Sequence, residues 1–121
     1  MSVTRSIGKE IIQLNDECLL EIEEKEDDGY KWKNLTIKSD NKETLIGSYF
    51  TYNYSSSREW MRYNSKYIVI IASYNLGYDY TDPSVKILFD IENNQFIEGT
   101  NEELMDIYLE SFKGISRKRT R

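Results

Sequence analysis

Hydrophobic and polar residues alternate with a period of two over the first three-quarters of the chain. This pattern is typical of β-strands that bury one face, because successive side chains in a strand point to opposite sides. The alternation predicts strands over residues 10–15, 18–23, 30–38, 44–54 and 85–92. In the second of these, Cys18, Leu20 and Ile22 share one face, so we expect Cys18 to be a buried thiol.

Turn residues separate these segments. Asp27-Asp28-Gly29 predicts a tight hairpin turn, because glycine accepts the positive φ that such turns need. The polar residues 39–42 predict a second turn, and Asn93-Asn94 predicts a third one that leads into a short strand over 95–98. The first hairpin would place Lys31 and Lys33 opposite Glu21, Glu23 or Glu24 of the preceding strand.

The phase of the alternation is irregular in two strands. It slips between Trp32 and Leu35, which predicts a β-bulge or a change of partner in that strand. In the next strand, one face is predicted to carry Ile46, Phe50, Tyr52 and Tyr54, and the other Leu45 and Tyr49.

The segment Tyr67–Tyr74 is apolar on both faces, which is typical of a central strand that is covered on each side. The period then becomes helical, and one stripe carries Leu104, Ile107, Tyr108, Phe112 and Ile115. Thr100 and Glu103 form a capping-box pattern at its start, and Gly114 is a natural stop. We expect this helix to cover one face of the Tyr67–Tyr74 strand.

These elements predict an α+β fold, in which an antiparallel sheet of about five to seven strands is closed by one C-terminal amphipathic helix. The chain has 121 residues, the ordinary size of one domain. We predict a single domain over residues 1–115 and a basic, mobile tail over 116–121.

The composition limits the kinds of catalysis and metal binding that the chain can support. The sequence contains no histidine, and Cys18 is its single cysteine. Histidine is the usual acid–base group at neutral pH and the commonest metal ligand, so Ser-His-Asp and Cys-His hydrolases and Cys₂His₂ zinc sites are excluded. Phosphate-binding glycine loops and nucleophile elbows are absent too. We therefore predict a protein that is not an enzyme, with no catalytic residues, no metal site and no cofactor.

Charge is unevenly distributed in a chain of formal net charge −5. Residues 9–28 hold nine acidic side chains and two lysines. Such a surface attracts a basic protein, for example a nuclease, and repels nucleic acid. The candidate partner-binding acids are Glu21, Glu23, Glu24, Glu26, Asp27 and Asp28. The alternative interpretation is a solvated hairpin edge whose charges prevent strand-to-strand aggregation.

Aromatic residues are concentrated in the middle of the chain, interleaved with Ser, Asn, Gly and Arg. This composition is typical of recognition surfaces, although strand and loop packing would also use many tyrosines. The aromatic candidates for partner binding are Tyr54, Trp60, Tyr78 and Tyr80. Arg58 and Arg62 flank Trp60, and these three form an alternative ligand-binding set that could hold a phosphate or a base.

The function predicted from these features is a small, acidic binding protein that neutralises or inhibits a protein partner. Immunity proteins, antitoxins and phage anti-defence proteins act in this way, and the residue bias suggests a bacterial or phage source. The alternative is a small-ligand or nucleotide-binding module built on the arginine–aromatic set. No segment is apolar enough for a membrane span or a secretory signal, so we expect no membrane partner and a cytoplasmic location. Direct nucleic-acid binding is not expected, and a homodimer is left open.

Overall fold

The computed structural model describes residues 4–52 and 57–115, and within these ranges it has eight β-strands and one α-helix. The strands form two antiparallel sheets of four, each in sequential order. The first sheet contains β1 (Arg5–Gln13), β2 (Leu19–Asp27), β3 (Tyr30–Ser39) and β4 (Lys42–Tyr52). The second sheet contains β5 (Arg58–Tyr63), β6 (Tyr67–Ser73), β7 (Ser84–Asp90) and β8 (Gln95–Phe96), and α1 (Asn101–Lys113) follows it.

The prediction of antiparallel strands followed by one C-terminal helix is confirmed, and the predicted sheet of about five to seven strands is only roughly matched, because the eight strands form two sheets of four. The strands divide because both sheets have an apolar face that must be buried, and each face covers the other. The core between the sheets consists of Leu20, Ile22, Leu35, Ile37, Ile46, Ile68, Ile70, Phe89 and Ile91.

A second core lies on the other side of the second sheet, where α1 packs. Val69 and Ile71 of β6 contact this core, together with Leu88, Leu104 and Tyr108. Strand β6 is therefore buried on both faces, and the helix covers one of them, as the sequence predicts. In these two cores the helix packs against the second sheet and not against the first, so the predicted closure of one sheet by the helix is only roughly matched.

The facing predicted for β4 is wrong because a bulge changes its phase. Leu35 pairs with Gly47 and Thr36 pairs with Leu45, so Ile46 is the extra residue. Ile46 is buried between the sheets, and Tyr49 packs against the same core. Leu45 and Phe50 therefore share the opposite face, whereas the sequence pattern grouped Phe50 with Ile46. The sequence pattern also placed Tyr52 on the face of Ile46 and Phe50, and Tyr52 is exposed.

The slip predicted near Trp32 corresponds to irregularities in the β3–β4 ladder, between Lys31 and Trp32 and between Leu35 and Thr36. The β2–β3 ladder is unbroken. Strand β5 was not predicted as a strand, because its polar and aromatic residues do not give an apolar stripe. It is amphipathic nevertheless, since Met61 packs against the core between the sheets and Trp60 packs against the second core.

Local chemistry at the element ends agrees with the sequence. The β2–β3 turn has positive φ at Asp28 (50°) and Gly29 (86°), which is the pattern of a type I′ turn. Thr100 and Glu103 form the predicted capping box, and Gly114 ends α1 with a φ of 67°. Cys18, for which the sequence predicts a buried thiol, packs against the core between the sheets and is half-buried.

Candidate functional site on the outer face of the first sheet

The two faces of the first sheet have different environments. Its inner face packs on the second sheet, and its outer face is opposite to that core. The pairing registers place two rows of side chains across the outer face, one of Ile11, Glu21, Thr36 and Leu45, and one of Lys9, Glu23, Asn34 and Ser48. A third row contains Lys25, Trp32 and Phe50.

Large apolar side chains of the outer face are exposed. Leu45 is 67% exposed, Ile11 is 59% exposed and Phe50 is 38% exposed. In the second sheet, by contrast, Val69 and Ile70 point to opposite sides and both are fully buried. Scattered exposed apolar residues are ordinary on a protein surface, but this face combines them with a cluster of aromatic rings.

That cluster forms an open groove of about 470 Å³ at the β2–β3 end of the outer face. We call it the aromatic groove, and it is lined by Asp27, Asp28, Tyr30, Trp32, Ser48 and Phe50. The ring centroid of Phe50 lies 6.1 Å from that of Tyr30 and 6.4 Å from that of Trp32. These are ordinary distances for interacting aromatic pairs, so the three rings form one cluster.

Two features of the backbone build the groove. The type I′ turn sets the register in which Asp27 is opposite Tyr30 and Lys25 is opposite Trp32. The bulge in β4 then turns Phe50 to the outer face, where it pairs with Trp32. The aromatic groove therefore depends on one local turn and on one long-range strand pairing.

The acidic end of the groove has an unusual hydrogen-bonding pattern. Asp27 Oδ2 accepts a hydrogen bond from Thr4 Oγ1 at 3.1 Å. Asp27 Oδ1 is buried and has no hydrogen-bond partner among the described residues. Asp28 is exposed at the turn. Lys25 Nζ lies 3.9 Å from Glu23 Oε1, so Lys25 forms an ion pair with a neighbour on its own strand.

The acidic residues predicted to form one surface are divided between two faces. Glu21, Glu23 and Asp27 are on the outer face, whereas Glu24 and Glu26 alternate with them and are on the inner face. Lys33 is opposite Glu24, one of its predicted partners, but Lys31 is opposite Glu26, which was not among them.

Several of these acids are in ion pairs. Lys38 Nζ lies 2.9 Å from Glu21 Oε1. This hydrogen bond lowers the pKa of Glu21 and raises the pKa of Lys38, and the opposite charges act in the same direction. Glu26 is paired with Arg5. The strongly acidic sequence around β2 therefore does not form one continuous negative surface.

The predicted arginine–aromatic set lies on β5 of the second sheet. Arg58, Trp60 and Arg62 share the face of β5 that adjoins the second core, because they are opposite Ser73, Ile71 and Val69. Arg58 Cζ lies 3.8 Å from the ring centroid of Tyr80, a cation–π contact. Trp60 packs against the second core. One arginine and the tryptophan therefore already have protein partners.

Arg58 also lines a small open pocket of about 260 Å³ beside Phe50 and Glu59. Only 6% of the Glu59 side chain is exposed, and its carboxylate accepts hydrogen bonds from Phe50 N and Lys86 Nζ, both at 2.9 Å. Glu59 thus ties β4 of the first sheet to β7 of the second. Since the pocket combines one arginine with one carboxylate, its described lining offers no net positive charge for a phosphate.

The remaining aromatic candidates have separate positions. Tyr78 is 90% exposed in the loop between β6 and β7, which is held by hydrogen bonds such as Thr81 N to Tyr74 O at 2.7 Å. Tyr80 is half-buried beneath Arg58. Tyr54 lies outside the described residues. The structure therefore does not bring Tyr78 and the acidic hairpin into one site.

A larger open pocket of about 670 Å³ lies between the β5–β6 turn and α1. Asn64 Oδ1 accepts hydrogen bonds from Lys66 N and Tyr67 N at 2.8 Å, and its Nδ2 donates to Ser111 O at 3.3 Å. The amide of Asn64 thus holds the turn and the helix together, and this pocket is explained by structural contacts.

Sequence reasoning missed Tyr30, Trp32 and Phe50 as site residues. The type I′ turn signal at Asp28-Gly29 fixes the two-residue loop, so it could have placed Tyr30 opposite Asp27 and Trp32 opposite Lys25. The position of Phe50 could not be derived in this way, because it depends on the bulge at Ile46.

Among the described residues, no group of three or more His, Cys, Asp and Glu side chains is arranged to hold a metal ion. The part of the chain that the structure describes has no helix with the length and apolar character of a membrane span. No family model, no curated protein and no solved structure matches this chain.

Proposed function

We propose that this chain is a non-enzymatic binding protein that neutralises or inhibits a protein partner, in the manner of an immunity protein, an antitoxin or a phage anti-defence protein. The observation that carries the proposal is the outer face of the first sheet, where, among the described residues, Ile11 and Leu45 are more than half exposed and an aromatic groove lies at one end. Protein interfaces combine such aromatic and aliphatic residues with a polar rim.

The polar residues of this face fit the same role. The row Lys9, Glu23, Asn34 and Ser48 separates the aliphatic residues from the aromatic groove. A partner bound here would bury two apolar patches and make hydrogen bonds between them. The backbone of a regular sheet is also held in a fixed position, so little backbone conformational entropy is lost on binding.

The two carboxylates with shifted pKa values have structural roles. Glu21 and Glu103 have lowered pKa values, and the cause in each case is a hydrogen bond within the fold, from Lys38 and from Thr100 respectively. Catalytic acids and bases are usually perturbed in the direction that prepares a proton transfer near neutral pH. A carboxylate that is held more firmly ionised by a structural bond does not have this property.

The proposed partner is a basic protein in the cytoplasm. The chain carries a net charge of −5, which favours encounter with a positively charged surface. Nuclease-like proteins have such surfaces because they bind phosphate backbones.

The test is affinity capture from a lysate of the cells that produce this protein, followed by an assay of the captured partner. Wild-type protein is expected to retain a protein in stoichiometric amount and to suppress its activity. The double variant Ile11→Gln, Leu45→Gln, which keeps the net charge, is expected to retain less than a tenth of the partner that wild type retains. The reason is that removing an anchor side chain from an interface weakens the binding free energy by about 1–2 kcal/mol or more.

The matched control is Leu76→Gln with Ile115→Gln, which removes the same residue types from positions that are 55% and 50% exposed outside the outer face. We expect this control to retain the partner fully. Loss of the partner with the control, and not with the outer-face variant, would place the interface at Leu76 or Ile115, outside the outer face, and overturn the proposal. A homodimer that dissociates in the outer-face variant would mean that a second copy, rather than another protein, covers this face.

A further inference from the structure

The aromatic groove brings three aromatic rings and two carboxylates to one place on an exposed sheet face. We propose that it binds the guanidinium group of an arginine side chain presented by the protein partner. This inference rests on the proposed function and names the chemical group that the outer face recognises.

The three aromatic rings of the groove can attract a cation. The Phe50 ring meets the rings of Tyr30 and Trp32 at interplanar angles of 56° and 71°, so the three rings that line the groove are not parallel. Ring faces attract cations through the aromatic quadrupole. A guanidinium also stacks on such faces because it is planar and weakly hydrated, whereas an ammonium is a compact and strongly hydrated charge.

The two carboxylates of the groove can also attract a cation. Asp27 and Asp28 both line the groove at the turn. Asp27 Oδ1 has no donor among the described residues, although buried polar atoms are almost always hydrogen-bonded. Because Oδ1 is buried, a donor in the groove reaches this oxygen only after rotation about χ2, which is soft in aspartate. A guanidinium provides five N–H donors in a fork that matches carboxylate geometry.

The surroundings favour a cation over other ligands. Lys25 lies opposite Trp32 in the row that lines the groove, and its ion pair among the described residues is with Glu23, at 3.9 Å, rather than with Asp27 or Asp28. A phosphate or a carboxylate ligand would be repelled by these two acids. The groove is open rather than enclosed, so it suits a side chain that projects from a partner surface.

The experiment is a titration of the full chain with the peptide acetyl-Gly-Arg-Gly-amide, followed by nitrogen–proton correlation NMR. The indole N–H signal of Trp32 is expected to move on titration. The signal of Trp60, which packs against the second core, is the internal control and is expected to stay fixed. The same peptide with citrulline, which keeps the shape of arginine without the charge, is expected to bind about tenfold more weakly.

Two aspartates provide a matched pair of variants. Asp28 and Asp40 are both exposed turn residues with positive φ, of 50° and 45°, at the two hairpin turns on either side of β3. Asparagine tolerates this backbone conformation, so both changes preserve the turns. Asp28→Asn is expected to weaken the arginine peptide about threefold or more, because a charged hydrogen-bond partner is lost, whereas Asp40→Asn is expected to leave it unchanged.

Equal binding of the arginine and citrulline peptides, or equal effects of Asp28→Asn and Asp40→Asn, would overturn this inference. A lysine peptide that binds more tightly than the arginine peptide would also overturn it. These outcomes are separate from the fate of the proposed function. If the Ile11 and Leu45 variant still loses its partner while the peptide shows no arginine preference, the outer face is the interface and only the groove assignment fails.

Discussion

A single residue, Gly47, allows the two sheets to approach closely. It has a φ of 150°, and a Cβ atom at this position would lie 2.4 Å from Ile87 Cδ1. Other residues rarely adopt this backbone conformation, and the Ile87 side chain would have to move. We expect Gly47→Ala to lower the free energy of unfolding by about 1–3 kcal/mol, measured by urea denaturation.

Gly8 in β1 is the control for this substitution. A Cβ at Gly8 would have no atom within 4 Å. Gly8→Ala is therefore expected to change the free energy of unfolding by no more than about 0.5 kcal/mol. If Gly47→Ala and Gly8→Ala lower the free energy of unfolding by similar amounts, the close approach of the sheets at Gly47 does not explain the effect of the substitution.

At the scale of single residues, the sequence could predict the features that depend on residues close together in the chain. The turn at Asp28-Gly29 and the cap at Thr100 and Glu103 were both predicted, because each depends on residues that are adjacent or three apart. The role of Gly47 could not be predicted, since it depends on contact with Ile87 in the other sheet.

Among the elements, β4 gives the most direct test of the fold, because its bulge separates two neighbouring residues. Ile46 is 3% exposed, whereas Leu45 is 67% exposed. We expect Ile46→Ala to cost about 2–5 kcal/mol in free energy of unfolding, and Leu45→Ala to cost less than about 1 kcal/mol. Thermal or urea unfolding of the pair measures this difference, and the reverse order would show that the bulge is misplaced.

The capping box of α1 predicts a pH dependence. Thr100 N donates to Glu103 Oε1 at 2.8 Å, and this bond lowers the pKa of Glu103 from its usual 4.5. Because the native pKa is lower than the unfolded one, the stabilisation is present above pH 4.5 and is lost as the pH falls through the native pKa. The stability advantage of wild type over Glu103→Gln is therefore expected to shrink between about pH 7 and about pH 3 in urea denaturation.

The control for this prediction is Glu102→Gln, which removes a carboxylate from the same first turn without changing the capping box. It reports the effect of charge near the helix N-terminus alone. A stability difference between wild type and Glu103→Gln that does not vary with pH would contradict the assignment of the lowered pKa to this bond.

The elements were predictable where one periodicity persisted. The C-terminal helix was derived from its apolar stripe and its caps, and β6 from its continuous apolar run. Strand β5 was missed because Arg58, Trp60 and Arg62 occupy one of its faces. Its burial comes from Met61 and Trp60 contacting two different cores, which no local pattern reveals.

At the scale of the whole molecule, the layers are asymmetric. The second sheet lies between the first sheet and α1, so both of its faces are covered. The first sheet has one covered face and one face with exposed apolar side chains. The account of function follows from this asymmetry, because the outer face is where a partner can bury apolar surface without disturbing either core.

The site could be predicted only in part, because its residues are brought together by the arrangement of the sheets. The sequence pointed to Asp27 and Asp28 as binding residues through their charge, and the structure places them beside Tyr30 and Trp32. The sequence could not show that Glu24 and Glu26 lie on the inner face of the first sheet, because the face of a residue is fixed by strand register and by the core on each side.

The measurement that tests the outer-face claim most directly is methyl NMR of the protein, labelled at isoleucine and leucine methyls, with and without the captured partner. The account predicts that the methyl signals of Ile11 and Leu45 shift or broaden on binding, while those of Leu76 and Ile115 do not change. Perturbation of Leu76 or Ile115, with Ile11 and Leu45 unaffected, would contradict the claim that the outer face of the first sheet holds the partner.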